Sequence, residues 1–112
     1  MTIYLIRDRA TKEQIDEMLQ MYGTYIKLAV DIERKILAGG GEFHADCESV
    51  LLEDGSEQKY VWGADWYPKE QEVTYESLIN IRPRQGNRTT ELLIPEIRVK
   101  IEEITRNILG DV

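Results

Sequence analysis

The residues most able to do chemistry fall in Glu42-Phe43-His44-Ala45-Asp46-Cys47-Glu48, where the only histidine and the only cysteine of the chain stand among three carboxylates. On an extended backbone Glu42, His44, Asp46 and Glu48 project to one side, roughly 6.5–7 Å apart per step. Glu42, His44 and Asp46 would then offer nitrogen and oxygen ligands of the kind that suit Zn²⁺ or Mn²⁺. Against this, the segment has a single imidazole and no HExxH-type spacing, so the plainer reading is a solvated strand face. A turn at Gly39–Gly41 would also set Arg34 opposite Asp46 as a cross-strand ion pair, which already accounts for that aspartate. The purified protein is therefore expected to carry no tightly held transition metal, and no cofactor is implied. His44 and Cys47 point to opposite faces of a strand and meet only in a helix, so thiol catalysis is not expected.

A second cluster is Arg82-Pro83-Arg84-Gln85-Gly86-Asn87-Arg88, with three arginines and no acid. Guanidinium groups bind phosphate or carboxylate in two-pronged fashion, and Gly86-Asn87 can form a turn whose amides point inward. Arg82, Arg84, Asn87 and Arg88 are thus candidate anion ligands. The alternative is internal pairing with the acidic stretch Asp31 to Glu57, which holds eight carboxylates against Arg34 and Lys35. A third feature is aromatic, Tyr60-Val61-Trp62-Gly63-Ala64-Asp65-Trp66-Tyr67-Pro68.

These residues need elements to position them. Ile3–Ile6 suits a short strand. Thr11 and Gln14 make a capping-box pattern, and Ile15, Met18, Leu19 and Tyr22 follow at helical spacing, so a helix is expected from about Lys12 to Tyr22. Between Tyr25 and Leu37 the β-branched residues fall in one alternating phase, which predicts a strand turning at Gly39-Gly40-Gly41. Strand is expected through about Cys47. Beyond it, to Asp54, strand and helix remain open. Tyr60–Tyr67 and Val73–Arg82 read as a hairpin around Pro68–Glu72. With Tyr67 opposite Val73, the residues Trp62, Trp66 and Leu78 share one face, a candidate interface, while Val61, Val73, Tyr75 and Ile79 share the other. Arg82–Leu92 reads as a polar loop. Pro95 opens a helix with Ile97, Ile101, Ile104 and Ile108 inward, Arg98 and Glu102 as an i,i+4 pair, and Gly110 as its stop. The sum is an α+β fold, an antiparallel sheet of two hairpins packed by an N-terminal and a C-terminal helix, in one domain spanning residues 1–112.

Composition narrows the class without naming an activity. With 112 residues, 21 acids against 14 Lys and Arg and 42% hydrophobic residues, the chain suits one globular domain. A net charge of −7 argues against coating nucleic acid or an anionic membrane through bulk charge. No apolar run is long enough to span a membrane or make a signal segment, and a lone cysteine fits a reducing cytoplasm.

Four motifs occur in order: His44-Ala45-Asp46-Cys47-Glu48, Leu51-Leu52-Glu53-Asp54-Gly55-Ser56, Trp62-Gly63-Ala64-Asp65-Trp66-Tyr67-Pro68, and Ser77-Leu78-Ile79-Asn80-Ile81-Arg82-Pro83-Arg84-Gln85-Gly86-Asn87-Arg88. As a set they resemble a prokaryotic family of about this length, a domain of unknown function. The resemblance runs from about Ala29 to the C-terminal helix and implies a stand-alone cytoplasmic domain; it brings no activity with it.

The leading expectation is a small, non-catalytic binding or self-assembling protein, a homodimer or higher homo-oligomer joined through the tryptophan face. The alternative is a metal-dependent hydrolase of a phosphate ester, with Glu42, His44 and Asp46 as ligands and the arginine loop on the phosphate. A second alternative is nucleic-acid binding through Arg82–Arg88, with Trp66 or Tyr67 stacking on bases, which the net charge disfavours.

Overall fold

Both hairpin turns of the molecule close on a non-glycine residue in the left-handed region, Lys35 at φ 59 and Gln71 at φ 56. The first is built by Asp31, whose Oδ1 accepts from the amides of Glu33 at 2.9 Å and Arg34 at 3.0 Å. In the computed structural model, which describes residues 1–112, these turns organise β1 (Tyr4–Ile6), α1 (Lys12–Leu19), β2 (Ile26–Asp31), β3 (Ile36–Gly39), α2 (His44–Glu53), β4 (Val61–Tyr67), β5 (Glu72–Thr74) and α3 (Pro95–Leu109). The strands form one antiparallel sheet in the order β1-β3-β2-β4-β5. The fold is α+β, as expected.

The terminal helices follow the sequence pattern closely. Thr11 Oγ1 accepts from the Gln14 amide at 3.1 Å and Gln14 Oε1 from the Thr11 amide at 3.0 Å. The helix ends at Leu19, short of the expected Tyr22, which instead stacks on Tyr25 with ring centroids 4.9 Å apart. On α3, Ile101, Ile104 and Ile108 turn inward, and Glu102 pairs with Arg106 at 2.9 Å, leaving Arg98 to Glu91 at 3.8 Å.

Three expectations fail. The strand at Tyr25–Leu37 is two strands, because the Asp31 side chain turns the backbone where no glycine signals it. The three glycines serve close approach: Gly40, at φ 103, leaves no room for a Cβ against Thr2 O and Met18. His44–Glu53 is helix throughout, since at helical spacing Cys47 and Leu51 bury against Ala29, Ile36, Ala38 and Val61. Arg34 accordingly pairs with Asp54 at 2.6 Å, not with Asp46. Finally, the second hairpin pairs Tyr67 with Glu72 and Trp66 with Val73, one residue from the expected register, and its second strand stops at Thr74.

The core occupies both faces of the sheet. Under α1 and α3 lie Met18, Leu28, Val30, Leu37, Ile101 and Leu109, and with them Trp62 and Trp66, each 0% exposed. The tryptophans are thus covered within a single chain, packed in one cluster with Tyr75, Leu92 and the inner side of α3, and do not themselves form a face for a partner copy. Leu78 is 77% exposed and belongs to a turn beyond the end of β5, so it does not share their surface.

Candidate functional site

The sheet-facing stripe of α2 reads His44, Cys47, Glu48, Leu51, at i, i+3, i+4 and i+7. A histidine and a glutamate on a stripe that packs against a sheet require partners there. Both have one. His44 Nε2 meets Asp65 Oδ1 at 2.8 Å, and Glu48 Oε2 meets Arg82 at 3.2 Å, with all four side chains about 11% exposed. These two pairs join α2 to β4 and to the segment after β5.

The Arg82 pair is structural. Its guanidinium also donates to the carbonyls of Val61 at 2.5 Å, Gln58 at 2.7 Å and Ile79 at 3.0 Å, and lies 4.7 Å from the Trp62 ring centroid. Burial pushes the Glu48 carboxyl up, against the smaller pull of Arg82, and lowers the Arg82 guanidinium. Asn87 is equally committed. Its Oδ1 accepts from the Leu93 amide at 2.9 Å, while Nδ2 donates to the carbonyls of Asn80 at 2.8 Å, Thr89 at 3.0 Å and Glu91 at 3.1 Å. Of the expected anion ligands, Arg82 and Asn87 are therefore spent inside the fold, and Arg84 and Arg88 are exposed without ion pairs. The four do not converge on a ligand. Internal pairing with the acidic stretch accounts for Arg82, through Glu48.

Nor do the expected metal ligands converge. Asp46 Oδ2 accepts from the Phe43 amide at 3.2 Å and closes the first turn of α2, Glu42 is exposed, and His44 faces Asp65. The helix separates what a strand would have aligned, and no group of three His, Cys, Asp or Glu side chains is placed to hold a metal. Cys47 is buried with its Sγ 3.5 Å from Lys27 O, and burial pushes its thiol up to about 11, which makes it a poor nucleophile.

A cavity of about 400 Å³ opens beside the His44–Asp65 pair. Lys27, His44, Glu76, Ser77 and Thr90 line it with Phe43, Ala45, Leu78 and Ile79. Its outer wall is the segment after β5, held against the sheet by Asn80. Where β5 has ended, the Asn80 side chain takes its place beside β4: Oδ1 accepts from the Gly63 amide at 2.8 Å and Nδ2 donates to Gly63 O at 3.0 Å. A Cβ on Gly63 would lie 2.5 Å from the Ser77 side chain, so only glycine lets the wall sit this close. Asp65 lies on the same sheet face, with Thr74 Oγ1 donating to its Oδ2 at 3.4 Å. If Asp65 accepts the Nε2 proton, Nδ1 of His44 is left as the ring's free nitrogen, and no group of the chain bonds it.

Residues 4–108 match the model of a family described as a protein of unknown function, DUF5674. The chain belongs to the DUF5674 family. The match takes in the N-terminal strand and helix of this DUF5674 chain as well as the region that carries the four motifs. No curated protein and no solved structure matches it.

Sequence reasoning singled out His44 and Leu78 but missed Lys27, Asp65, Glu76, Ser77 and Thr90. Asp65 had a signal, a lone carboxylate between Ala64 and Trp66 on an apolar strand. A second, shallower groove of about 620 Å³ lies on α3, lined by Tyr75, Leu93, Pro95, Arg98, Val99, Glu102 and Glu103. There Tyr75 donates to Glu102 at 2.8 Å, and the Arg98 guanidinium stacks 4.3 Å from the Tyr75 ring centroid.

No helix is long and apolar enough to cross a membrane.

Proposed function

We propose that this DUF5674 chain is a non-catalytic binding protein of the cytoplasm, and that the cavity between α2 and the Glu76–Ile79 wall receives a small organic ligand with an apolar body. One observation carries the reading: Leu78 and Phe43, 77% and 57% exposed, line a cavity whose polar side includes His44, already engaged by Asp65. Exposed apolar side chains around a concave site with a few fixed polar groups are the usual form of a ligand pocket. The lack of a ready nucleophile favours binding over turnover. Ser77 Oγ accepts from the Ile79 amide at 3.2 Å as a turn cap, and Cys47 is buried.

The test is a titration of ¹⁵N-labelled protein with phenylacetamide and phenylacetate. Shifts confined to Lys27, Phe43–Ala45, Glu76–Ile79 and Thr90, and lost in Ala45→Trp, which fills the cavity from an exposed helix position, are the expected result. Shifts elsewhere, or shifts that Ala45→Trp leaves intact, would reject the site.

The His44–Asp65 hydrogen bond favours a second reading, hydrolysis with the imidazole as general base on water. Turnover of p-nitrophenyl esters that disappears in His44→Ala would establish it. Nucleic-acid binding has less support, since Trp66 is buried and Tyr67 stacks on Tyr25 at 5.3 Å.

A further inference from the structure

The cavity is lined by a cation that forms no salt bridge. Lys27 makes no ion pair; its ammonium lies 4.8 Å from the Tyr22 ring centroid and 5.7 Å from that of Phe43. The carboxylate directly across the strands is Asp65, whose two oxygens turn to His44 at 2.8 Å and Thr74 at 3.4 Å and make no salt bridge with the ammonium. The one carboxylate in the lining, Glu76, is exposed and accepts from Thr90 Oγ1 at 3.2 Å. In a chain with 21 acids, a lysine cradled by aromatic rings at the edge of an apolar cavity is a charge left for something else.

Resting on the ligand-binding reading above, we propose that the cavity selects a small organic monocarboxylate, with its carboxylate on Lys27 Nζ and its apolar body against Phe43, Ala45, Leu78 and Ile79. His44 Nδ1 can accept from the ligand in the neutral ring or donate to it in the imidazolium, so it suits a second polar atom of either kind. Charge sets the class. Lys27 compensates one negative charge, and the carboxylates of Glu76 in the lining and Asp65 behind His44 oppose a second, so dianions such as phosphate monoesters and dicarboxylates are disfavoured. Volume points the same way, since about 400 Å³ lies at the small end of ligand pockets and accommodates a single ring with a short acid chain.

Isothermal titration of the full chain with phenylacetate, its neutral isostere phenylacetamide and the dianion phenyl phosphate tests this. A charge-assisted contact should make phenylacetate bind about tenfold or more tightly than phenylacetamide. Phenyl phosphate should bind more weakly than phenylacetate. Lys27→Gln should abolish the preference for the acid while the amide still binds, which also shows that the variant is folded and its cavity intact. Equal affinities for acid and amide, a preference that survives Lys27→Gln, or a dianion bound as well as the monoanion would overturn the inference and leave the ligand site standing. Failure of both phenylacetate and phenylacetamide to bind in the cavity would overturn the ligand site, and the inference with it.

Discussion

Arg82 is the residue on which sequence and structure part most clearly. Its neighbours in sequence suggest a phosphate loop, yet its guanidinium serves five acceptors of the chain's own, Glu48, Gln85 and three backbone carbonyls. Removing it strands a carboxylate in a half-dry site, so Arg82→Ala should lower the free energy of unfolding in urea by about 3–5 kcal/mol. A loss no greater than that of an exposed arginine would mean the pair is not formed. Asp54 is the exposed counterpart. Hydrogen bonds from Arg7 and then Arg34 hold its carboxyl below the usual aspartate range. Its folded value is therefore depressed, so its contribution to stability is present above the ordinary aspartate range and is lost as pH falls through the folded value. Asp54→Asn should flatten the acid side of the stability curve between those two limits, as measured by denaturation at stepped pH. An unchanged acid limb would show that the two arginines do not hold it. Surface screening keeps this effect small.

At the scale of elements, the sequence is most legible where local chemistry decides the structure alone. The Thr11–Gln14 box and the Pro95-to-Gly110 helix are such cases. It is least legible where a side chain replaces backbone. Asp31 turns β2 into β3 without a glycine, and Asn80 stands in for the missing end of β5, so alternation past Thr74 suggests a strand that tertiary hydrogen bonding has displaced. His44–Glu53 satisfies both periods, and the choice falls to the small residues Ala29 and Ala38, which let a helix rest on the sheet at Cys47. His44 was therefore visible as a chemical residue, but the helix that pairs it with Asp65 was not. Asn80→Ala tests the device directly. It removes the partners of the Gly63 amide and carbonyl, each worth about 1–3 kcal/mol when left unsatisfied. Lower stability together with shift changes at Glu76–Ile79 is expected; shift changes confined to residue 80 and its chain neighbours would show that the wall holds without it.

For the whole molecule, the decisive fact is that one chain covers both faces of its sheet. The tryptophans belong to its folding and not to a contact between copies. Trp66→Ala should cost about 3–5 kcal/mol of stability, as for a large aromatic removed from a core, and should leave the sedimentation mass of the folded protein unchanged. A change in mass without a loss of stability would restore the tryptophan to an interface. What stays open to the outside is the cavity beside α2 and, across the sheet, the groove on α3, and the functional account rests on the first. The most direct measurement is intermolecular NOEs from the ring protons of bound phenylacetate. The account predicts NOEs to the methyl groups of Ala45, Leu78 and Ile79; NOEs to Leu93 and Val99 on the α3 groove instead would contradict it.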